Sequence, residues 1–354
     1  ILTSNIPAPV ATTVLMPLFE TGNETAPELN EPEAAAHTPN SIPDIQMANP
    51  AEAITTIAAP SANNLGNAVL TYPIKLPAGR KGMIPVIAIH YNSDGGNGWL
   101  GLGWDMAAPP VNIETRWGVP RYDAALETET YLLNGEQLSP VAHRSEPASR
   151  IADRPFFPRV ESEFKKIIRH GNNPADYWWE VTDKSGTKHF YGGNPGTGKV
   201  DIDAVLTDAQ NNIACWKITE SRDPNGNFVK YHYTKVFDEG NPGGSTGHNS
   251  YLDFITYTGH GSEEGKYKIE FIRDRQLAEP KRQDISITAR LGFKQVTADL
   301  LRKVLIKYND QKISSSELGY VPGRFFKTLL QNIKEFDAAD SLFTTHSFEY
   351  YDDV

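Results

Sequence analysis

The sequence has only one cysteine, Cys215, among its 354 residues. A single cysteine excludes an internal disulfide bridge and any metal cluster built on several thiolates. A chain of this length buries enough surface to fold without such crosslinks. Because Cys215 is flanked by Ile213, Trp216 and Ile218, we predict that its thiol is a small buried hydrophobe rather than a reactive group.

Long apolar runs are also missing, and so are basic residues near the start of the chain. No run of 18 apolar residues exists, so we predict no membrane span. Residues 1–74 contain no lysine or arginine, and all 34 basic residues lie beyond them, where acids nearly balance them. Neither part provides the basic stripe of a nucleic-acid-binding surface, and we therefore expect no nucleic-acid partner.

The first sixty residues differ in composition from the rest. They hold nine of the 25 prolines and an alanine-rich acidic patch, without clear periodicity. We predict an extended or poorly ordered leader over 1–60 and one β domain over 61–354. The chain begins with isoleucine, lacks a signal-peptide pattern and stops directly after a strand pattern. We therefore expect it to be the N-terminal part of a longer chain.

Strand and tight-turn patterns alternate through the remainder of the sequence. Asn134-Gly135 stands between apolar pairs, which is the strongest short signal for a β-hairpin. Similar hairpins are predicted around Asp183–Gly186 and Asp223–Gly226. The sequence thus predicts an all-β fold, with antiparallel hairpins and curved sheets forming a β-sandwich or a partial shell. Further strands are predicted at 250–258, 266–273, 283–291, 302–309, 326–337 and 343–351.

The segment from Gly66 to Trp104 carries the most specific pattern. A period-two run ending near Leu76 predicts one strand, and Val86–Tyr91 predicts a second. Five glycines then follow within nine residues, interleaved with Trp99 and Trp104. Glycine allows unusual backbone angles and close approach, while tryptophan anchors a loop through its large buried area. We predict a rigid, irregular corner.

This segment resembles the opening motif of the SpvB-type N-terminal domain, found in the B components of insecticidal toxin complexes and in related Rhs-type toxins. The sequence departs from that motif at Asp94-Gly95, where many members keep one small residue, and we expect this to affect only the loop tip. The matching residues are Gly66, Ala68, Tyr72, Pro73, Ile74, Leu76, Pro77, Gly79, Arg80, Pro85, Ile87, Ile89, Tyr91, Asn92, Ser93, Gly96, Asn97, Gly101, Gly103 and Trp104.

Two further segments are similar to parts of Rhs-type proteins. Asp223–Tyr233 resembles their Tyr-Asp (YD) repeat, and Phe348–Asp352 resembles the close of such a unit, although each also reads as an ordinary hairpin. Residues 296–308 fit either a helical face or strand alternation. The family places a β-paired segment there, and we therefore favour a strand.

The resemblance implies a non-catalytic shell or scaffold domain of a large secreted protein, one that helps to enclose or deliver a C-terminal toxin. The implied partners are the remainder of the same chain and a toxin-complex pore or partner subunit. The implied location is extracellular or at the cell surface, with the bacterial cytoplasm as the location before export. We expect exposed edge strands and a residual apolar patch, because neighbouring modules would cover them. The alternative is a secreted or cell-surface module that binds glycans or proteins.

Patterns that suggest an enzyme are weak, and we predict no catalytic residue, cofactor or bound metal. Gly193–Lys199 matches a phosphate-binding loop, but Val200 replaces the required serine or threonine and the following residues alternate. Glu161 and Glu163 resemble the paired glutamates of ADP-ribosyltransferases, an activity that one member of the family carries in a separate C-terminal domain. We interpret this pair as a solvated or salt-bridged strand face.

Histidines and tryptophans give no stronger signal for a site. The nine histidines show none of the spacings that bind zinc on one element. Trp178-Trp179 could form a platform for a glycan ring, but strand alternation directs one of the two rings inward. We therefore predict that this pair belongs to the core.

Overall fold

A computed structural model of the chain describes residues 57–350, except 86, 107, 141–148 and 161–162. The predicted leader over 1–60 therefore lies almost wholly outside the described residues. Within the described part, no helix is long and apolar enough to cross a bilayer.

Strands dominate the described residues, and the helical segments are single 3₁₀ turns at Arg80–Gly82, Ile202–Ala204, Asp274–Leu277 and Arg324–Phe326. The strands are β1 (Ser61–Ala62), β2 (Ala68–Pro73), β3 (Ala88–Asn92), β4 (Asn97–Gly98), β5 (Gly101–Leu102), β6 (Trp104–Asp105), β7 (Val111–Ile113), β8 (Tyr131–Leu133), β9 (Glu136–Ser139), β10 (Arg154–Pro158), β11 (Lys166–His170), β12 (Trp178–Thr182), β13 (Lys188–Tyr191), β14 (Gly193–Asn194), β15 (Lys199–Val200), β16 (Val205–Thr207), β17 (Ile213–Trp216), β18 (Ile218–Arg222), β19 (Asn227–Asp238), β20 (Gly247–His260), β21 (Tyr267–Arg273), β22 (Ser286–Thr288), β23 (Gln295–Thr297), β24 (Leu301–Tyr308), β25 (Gln311–Pro322), β26 (Thr328–Phe336) and β27 (Leu342–Ser347).

The first half of the described chain forms a small closed barrel. Strands β7 to β13 pair antiparallel in sequence order. The ring closes because β17 pairs with β7 while β18 pairs with β13, and only Lys217 separates β17 from β18. A barrel of about eight strands has an interior just wide enough for side chains to fill.

Aromatic rings fill this barrel. Tyr131, Trp179 and Trp216 are buried and pack edge to face, with ring centroids 4.9 to 5.9 Å apart. The indole Nε1 of Trp216 donates to the carbonyl oxygen of Tyr177 at 2.6 Å. Edge-to-face contacts are favourable because the positive ring edge meets the negative ring face. The barrel interior is therefore a packed core.

The second half forms a β-sandwich. From β18 the ladder continues through β19, β20, β21, β24, β25 and β26 to β27, all antiparallel. The sheet β1-β2-β3-β6 packs against this ladder and buries Tyr72, Ile89 and Trp104 against Ile269 and Leu330. The predicted all-β fold of antiparallel sheets is confirmed.

Most of the individual strand predictions are confirmed. The segments 250–258, 266–273, 302–309 and 326–337 correspond to β20, β21, β24 and β26. The ambiguous segment 296–308 forms the end of β23 and then β24, so the strand interpretation is correct. The prediction for 283–291 was too long, because the carboxylate of Asp284 binds Thr328 and only Ser286–Thr288 forms a strand. The last predicted strand ends early, at Ser347.

A five-residue turn with an acidic or amide side chain at its first position recurs through the fold. In each copy the first residue exchanges backbone hydrogen bonds with the fourth and fifth residues, and its Oδ1 accepts from the amides of the third and fifth. The fourth residue has positive φ in every copy. The side chain thus takes the place of a turn's missing backbone partners. The copies begin at Asn63, Asp183, Asp208, Asp223 and Asp337.

Removing the carboxylate of one such turn should destabilise the fold, whereas an amide should replace it. We expect Asp223→Ala to lower the free energy of unfolding by about 1–2 kcal/mol, because two turn amides lose their acceptor. Asp223→Asn should cost much less, since Asn63 already performs the same role. Urea unfolding of the two variants beside the parent chain measures the difference, and equal losses would contradict this role for the side chain.

Candidate functional site

The predicted corner connects β3 to β6, and we call residues 92–104 the glycine–tryptophan corner. Asn92 N donates to Gly103 O at 2.9 Å, and Gly103 N donates to Gly96 O at 3.0 Å. The short hairpin β4–β5 lies inside this loop. Asp94 and Gly95, the residues that differ from the family motif, lie at the tip of this loop, where Asn92 O accepts from Gly95 N at 2.8 Å. The corner is a closed loop held by its own backbone.

Two glycines of the corner are required by both backbone angle and space. Gly101 and Gly103 have φ of 92° and 78°, a region that side-chain-bearing residues rarely adopt. A Cβ on Gly101 would lie 2.7 Å from Thr328 O, and a Cβ on Gly103 would lie 2.7 Å from the Tyr91 ring. Neither neighbour has room to give, so these positions fix how closely the corner approaches β26 and β3.

The corner's two tryptophans anchor it to opposite parts of the sandwich. Trp104 is buried, its ring lies 4.7 Å from that of Phe348, and its Nε1 donates to the hydroxyl of Tyr350 at 2.6 Å. Trp99 is half-buried, and its carbonyl oxygen accepts from Leu301 N at 2.8 Å. The corner therefore joins the N-terminal sheet to the C-terminal strands.

A buried ion pair fastens the corner to β26. Arg282 Nε donates to Asp284 Oδ1 at 2.7 Å, and both side chains are almost completely buried. Arg282 also donates to Gly98 O and to the side chain of Asn97, whose Nδ2 donates back to Asp284. Asp284 further accepts from the Thr328 amide at 2.7 Å and from its hydroxyl at 2.6 Å. The carboxylate and the guanidinium thus bind each other and also form hydrogen bonds with Asn97 and Gly98 of the corner.

The electrostatics of Asp284 follow from these bonds. Burial acts to raise the pKa of Asp284, but hydrogen bonds from Arg282 and Thr328 outweigh it and hold the pKa well below its ordinary value. The carboxylate is therefore ionised throughout the neutral range. A paired, fully bonded carboxylate of this kind has no free lone pair for substrate or metal, so its role is structural.

The motif residues on the sheet's strands follow the predicted alternation. On β2, Tyr72 is buried and donates its hydroxyl to Glu335, while Pro73 is exposed. Leu76 packs on the edge of the sandwich core, and Pro77 O accepts from the Tyr257 hydroxyl at 3.2 Å. These contacts hold the motif against the second sheet.

The remaining motif residues shape the turns on either side. Ser93 exchanges hydrogen bonds with the Ala68 backbone, both at 3.0 Å. Gly66 is the positive-φ residue of the Asn63 turn. A Cβ on Gly79 would lie 2.1 Å from a carbonyl oxygen, which only glycine avoids. Arg80 is exposed and Pro85 is buried.

Sequence reasoning missed the distant partners of the corner. Arg282 and Asp284 lie more than 180 residues from Asn97 along the chain, and Tyr350 lies 246 residues from Trp104. A buried pair at such separation leaves no local pattern. The predicted strand over 283–291 even included Asp284, which hid its role as a buried partner.

Among the described residues, the patterns that suggested an enzyme form no site. Gly193–Lys199 makes the hairpin β14–β15 and opens no helix, as the alternation indicated. Glu161 lies outside the described residues, and Glu163 is exposed and paired with Lys165. Among the described residues, no group of three His, Cys, Asp or Glu side chains is arranged to hold a metal ion.

Cys215 and the tryptophan pair belong to the core. Burial raises the pKa of the Cys215 thiol to about 11, which leaves it protonated and unreactive at neutral pH. Trp179 is fully buried in the barrel, and Trp178 is covered by the ring of His170 at 3.9 Å. Of the six tryptophans only Trp117 is exposed, so the tryptophans form no exposed platform of several rings among the described residues.

A second buried cluster of charges closes one side of the barrel. The Glu127 carboxylate contacts Arg154 Nε at 3.0 Å and Arg169 Nη1 at 3.1 Å, and Arg169 lies 3.7 Å above the Tyr177 ring. Burial raises the pKa of Glu127, against the pull of both arginines. Three surface cavities, of about 230, 140 and 450 Å³, are lined by residues other than Glu127. The Glu127 carboxylate contacts other protein groups instead.

Replacing only one member of the Arg282–Asp284 pair should destabilise the fold strongly, whereas replacing both should destabilise it by less than the sum of the two single losses. We expect Asp284→Asn or Arg282→Met alone to lower the free energy of unfolding by about 3–5 kcal/mol, because the partner stays buried and unpaired. Arg282→Met combined with Asp284→Leu should cost less than the sum. Because the folded pKa is depressed, Asp284 contributes fully above about pH 4 and loses its contribution as the pH falls further.

Urea titrations at pH 7 and below pH 4 measure these losses as a double-mutant cycle. The pair Glu114–Arg116, in which the arginine side chain is 72% exposed, provides the control, and its removal should cost less than about 1 kcal/mol. Strict additivity at 282 and 284 would show that the pair does not act as a unit.

Comparison with known proteins identifies the family. The family model described as Salmonella virulence plasmid 65kDa B protein, SpvB, matches residues 62–277. A curated relative, the mono(ADP-ribosyl)transferase SpvB of Salmonella typhimurium strain 14028s, is 32% identical over 183 residues. That match covers 48% of this chain and 30% of the relative, so the chain spans less than a third of the relative's length.

Solved structures share the fold. The N-terminal domain of effector protein SpvB from Salmonella typhimurium strain LT2 matches with a TM-score of 0.63 at 23% identity, over 75% of this chain and 98% of that one. TcdB2-TccC3 matches with a TM-score of 0.63 at 21% identity, over 81% of this chain and 16% of that one. A Photorhabdus luminescens Tc holotoxin pore gives 0.64 at 21%, over 82% and 16%. Since the family model covers more than half of it, the chain belongs to the SpvB family.

Proposed function

We propose that this chain is a non-catalytic wall domain of a larger secreted toxin, and that it helps to enclose and deliver a C-terminal toxic segment. Membership of the SpvB family and the fold shared with toxin-complex proteins support this proposal. Its partners are the remainder of its own chain and a toxin-complex pore or partner subunit. The protein acts outside the producing cell or at its surface.

The open end of the long ladder carries the proposal. Strand β27 pairs with β26 and with no other strand among the described residues. Its sequence, LFTTHS, has neither a lysine nor a proline, and Leu342 and Phe343 are 56% and 49% exposed. Self-contained domains protect such edges with charge, proline or a covering loop. This edge suits the addition of a further strand, as a wall built from successive hairpins requires.

The interior of the fold supports a structural role rather than catalysis. The barrel and the sandwich are each filled by side chains, and the corner is packed against β26 without a cleft. The charges of Arg282 with Asp284, and of Glu127 with Arg154 and Arg169, are paired within the protein. The alternative of a glycan-binding module would need several exposed aromatic rings in a groove, and no such groove supports it among the described residues.

The proposal predicts how the gene continues. The reading frame should extend past Val354 into further β-strand repeats and a C-terminal toxin, and the toxin segment should resist protease in the full-length protein. Leu342→Lys with Phe343→Lys should expose that segment, because charge on β27 opposes the next strand. Phe237→Lys, at another exposed position, is the matched control and should leave protection unchanged.

Sequencing of the locus and limited proteolysis followed by mass spectrometry provide the readout. A reading frame that stops near Val354 would contradict the proposal. So would a toxin segment that is cleaved as fast in the parent protein as in the β27 variant.

A transferase activity in this chain is the competing case, and it has a direct test. We expect no NAD-dependent labelling of cell-extract proteins by the purified chain, and no change in Glu161→Gln with Glu163→Gln. Labelling by the parent chain that disappears in this double variant would overturn the non-catalytic assignment.

A further inference from the structure

Two adjacent phenylalanines form the tip of the β25–β26 hairpin. Phe325 and Phe326 are 88% and 67% exposed, among the most exposed large apolar side chains of the described residues. The turn is closed below them, since Lys327 N donates to Arg324 O at 3.2 Å and Gly323 N donates to Lys327 O at 2.7 Å. Both rings are therefore held out in solvent by an ordered turn.

The backbone of this tip is unfavourable for phenylalanine. Phe325 and Phe326 have φ of 53° and 59°, which makes the turn type I′ and places two bulky residues in the left-handed region. The same chain builds other turns with two successive positive-φ residues from Lys81-Gly82, Asn134-Gly135 and Asn309-Asp310. Asparagine, glycine and aspartate are the residues such turns prefer. Local stability thus does not account for the phenylalanine pair, and a strained, exposed pair indicates a binding role.

The base of the hairpin is rigid. Thr328 directly follows the tip, and the buried Asp284 binds both its amide and its hydroxyl, at 2.7 and 2.6 Å. Asp284 is in turn held by Arg282. The tip is therefore presented on the same fastening that holds the glycine–tryptophan corner, which limits the entropy lost on binding.

Charge around the tip has the opposite sign to the protein as a whole. The net charge of the chain is −10, yet the tip itself carries Arg324 and Lys327, and the acids on the two strands of the hairpin, Glu317 and Glu335, lie at its far end beside Lys334. The acid that touches this hairpin's base, Asp284, is neutralised by Arg282. Aromatic rings flanked by cations match the boundary between anionic headgroups and acyl chains.

We propose that the Arg324–Lys327 tip inserts into the interface of an anionic lipid membrane, with the phenylalanines at the acyl boundary and the cations among the headgroups. The area argues for lipid over a protein partner. Two phenylalanines supply roughly 300–500 Å², whereas a stable protein interface needs about 800 Å² from each partner. A lipid interface requires no matching shape, and a convex tip of four residues can enter it.

Replacing the pair by the residues that the turn prefers separates binding from folding. Phe325→Asn with Phe326→Gly should keep or raise the stability of the chain, because it relieves the left-handed phenylalanines. The same variant should bind vesicles of phosphatidylcholine with about one third phosphatidylserine at least about tenfold more weakly than the parent chain. Phe237→Ser, which removes another exposed ring, is the matched control and should bind like the parent.

Vesicle cosedimentation at low and high salt measures the binding, with sedimentation velocity of the free chain in parallel. The parent should bind the anionic vesicles, prefer them over phosphatidylcholine alone, and release with added salt. The proposal is overturned if the parent does not bind, if the tip variant binds equally well, or if Phe237→Ser loses as much. Loss of self-association in the tip variant without vesicle binding would instead assign the tip to a second copy of the chain.

Discussion

The buried contact between Arg282 and Asp284 is the constraint on which the sandwich depends. Two opposite charges removed from water are tolerable only when each finds all its partners. Here those partners are Asn97 and Gly98 of the corner and Thr328 of β26. Because the pair contacts both the corner and Thr328, the corner lies close to β26. Only glycine fits at Gly101, where a Cβ would lie 2.7 Å from Thr328 O. The motif is therefore conditional on residues far outside it.

Local patterns predicted the elements well and their connections poorly. Alternation placed Tyr72 inside and Pro73 outside, and turn residues located the hairpins at Asn134, Asp183 and Asp223. These features depend on neighbours within a few residues, which a sequence displays directly. The closure of the barrel at Lys217 and the buried pair depend on partners that pairing alone brings together. Strand alternation predicts which side chains face inward but does not predict which strands pair with each other.

The two cores are distinct but mechanically continuous. Strand β18 closes the barrel, and the chain then turns at Asp223 directly into β19 of the sandwich. Tyr231 on β19 contacts both hydrophobic clusters. A bend between the two bodies would have to disrupt this shared strand pair, whereas separate domains joined by a linker would not resist it. The shared strand pair therefore ties the two cores together.

The contact between Trp104 and Tyr350 also sets an order of events during synthesis. The two residues are 246 positions apart. A ribosome adds roughly 5–20 residues per second, so Tyr350 is synthesised on the order of ten seconds or more after Trp104. During that interval the N-terminal sheet has no completed core, and its apolar face is available to chaperones. The buried contact of Trp104 with Phe348 and Tyr350 can form only after strands β26 and β27 have been synthesised.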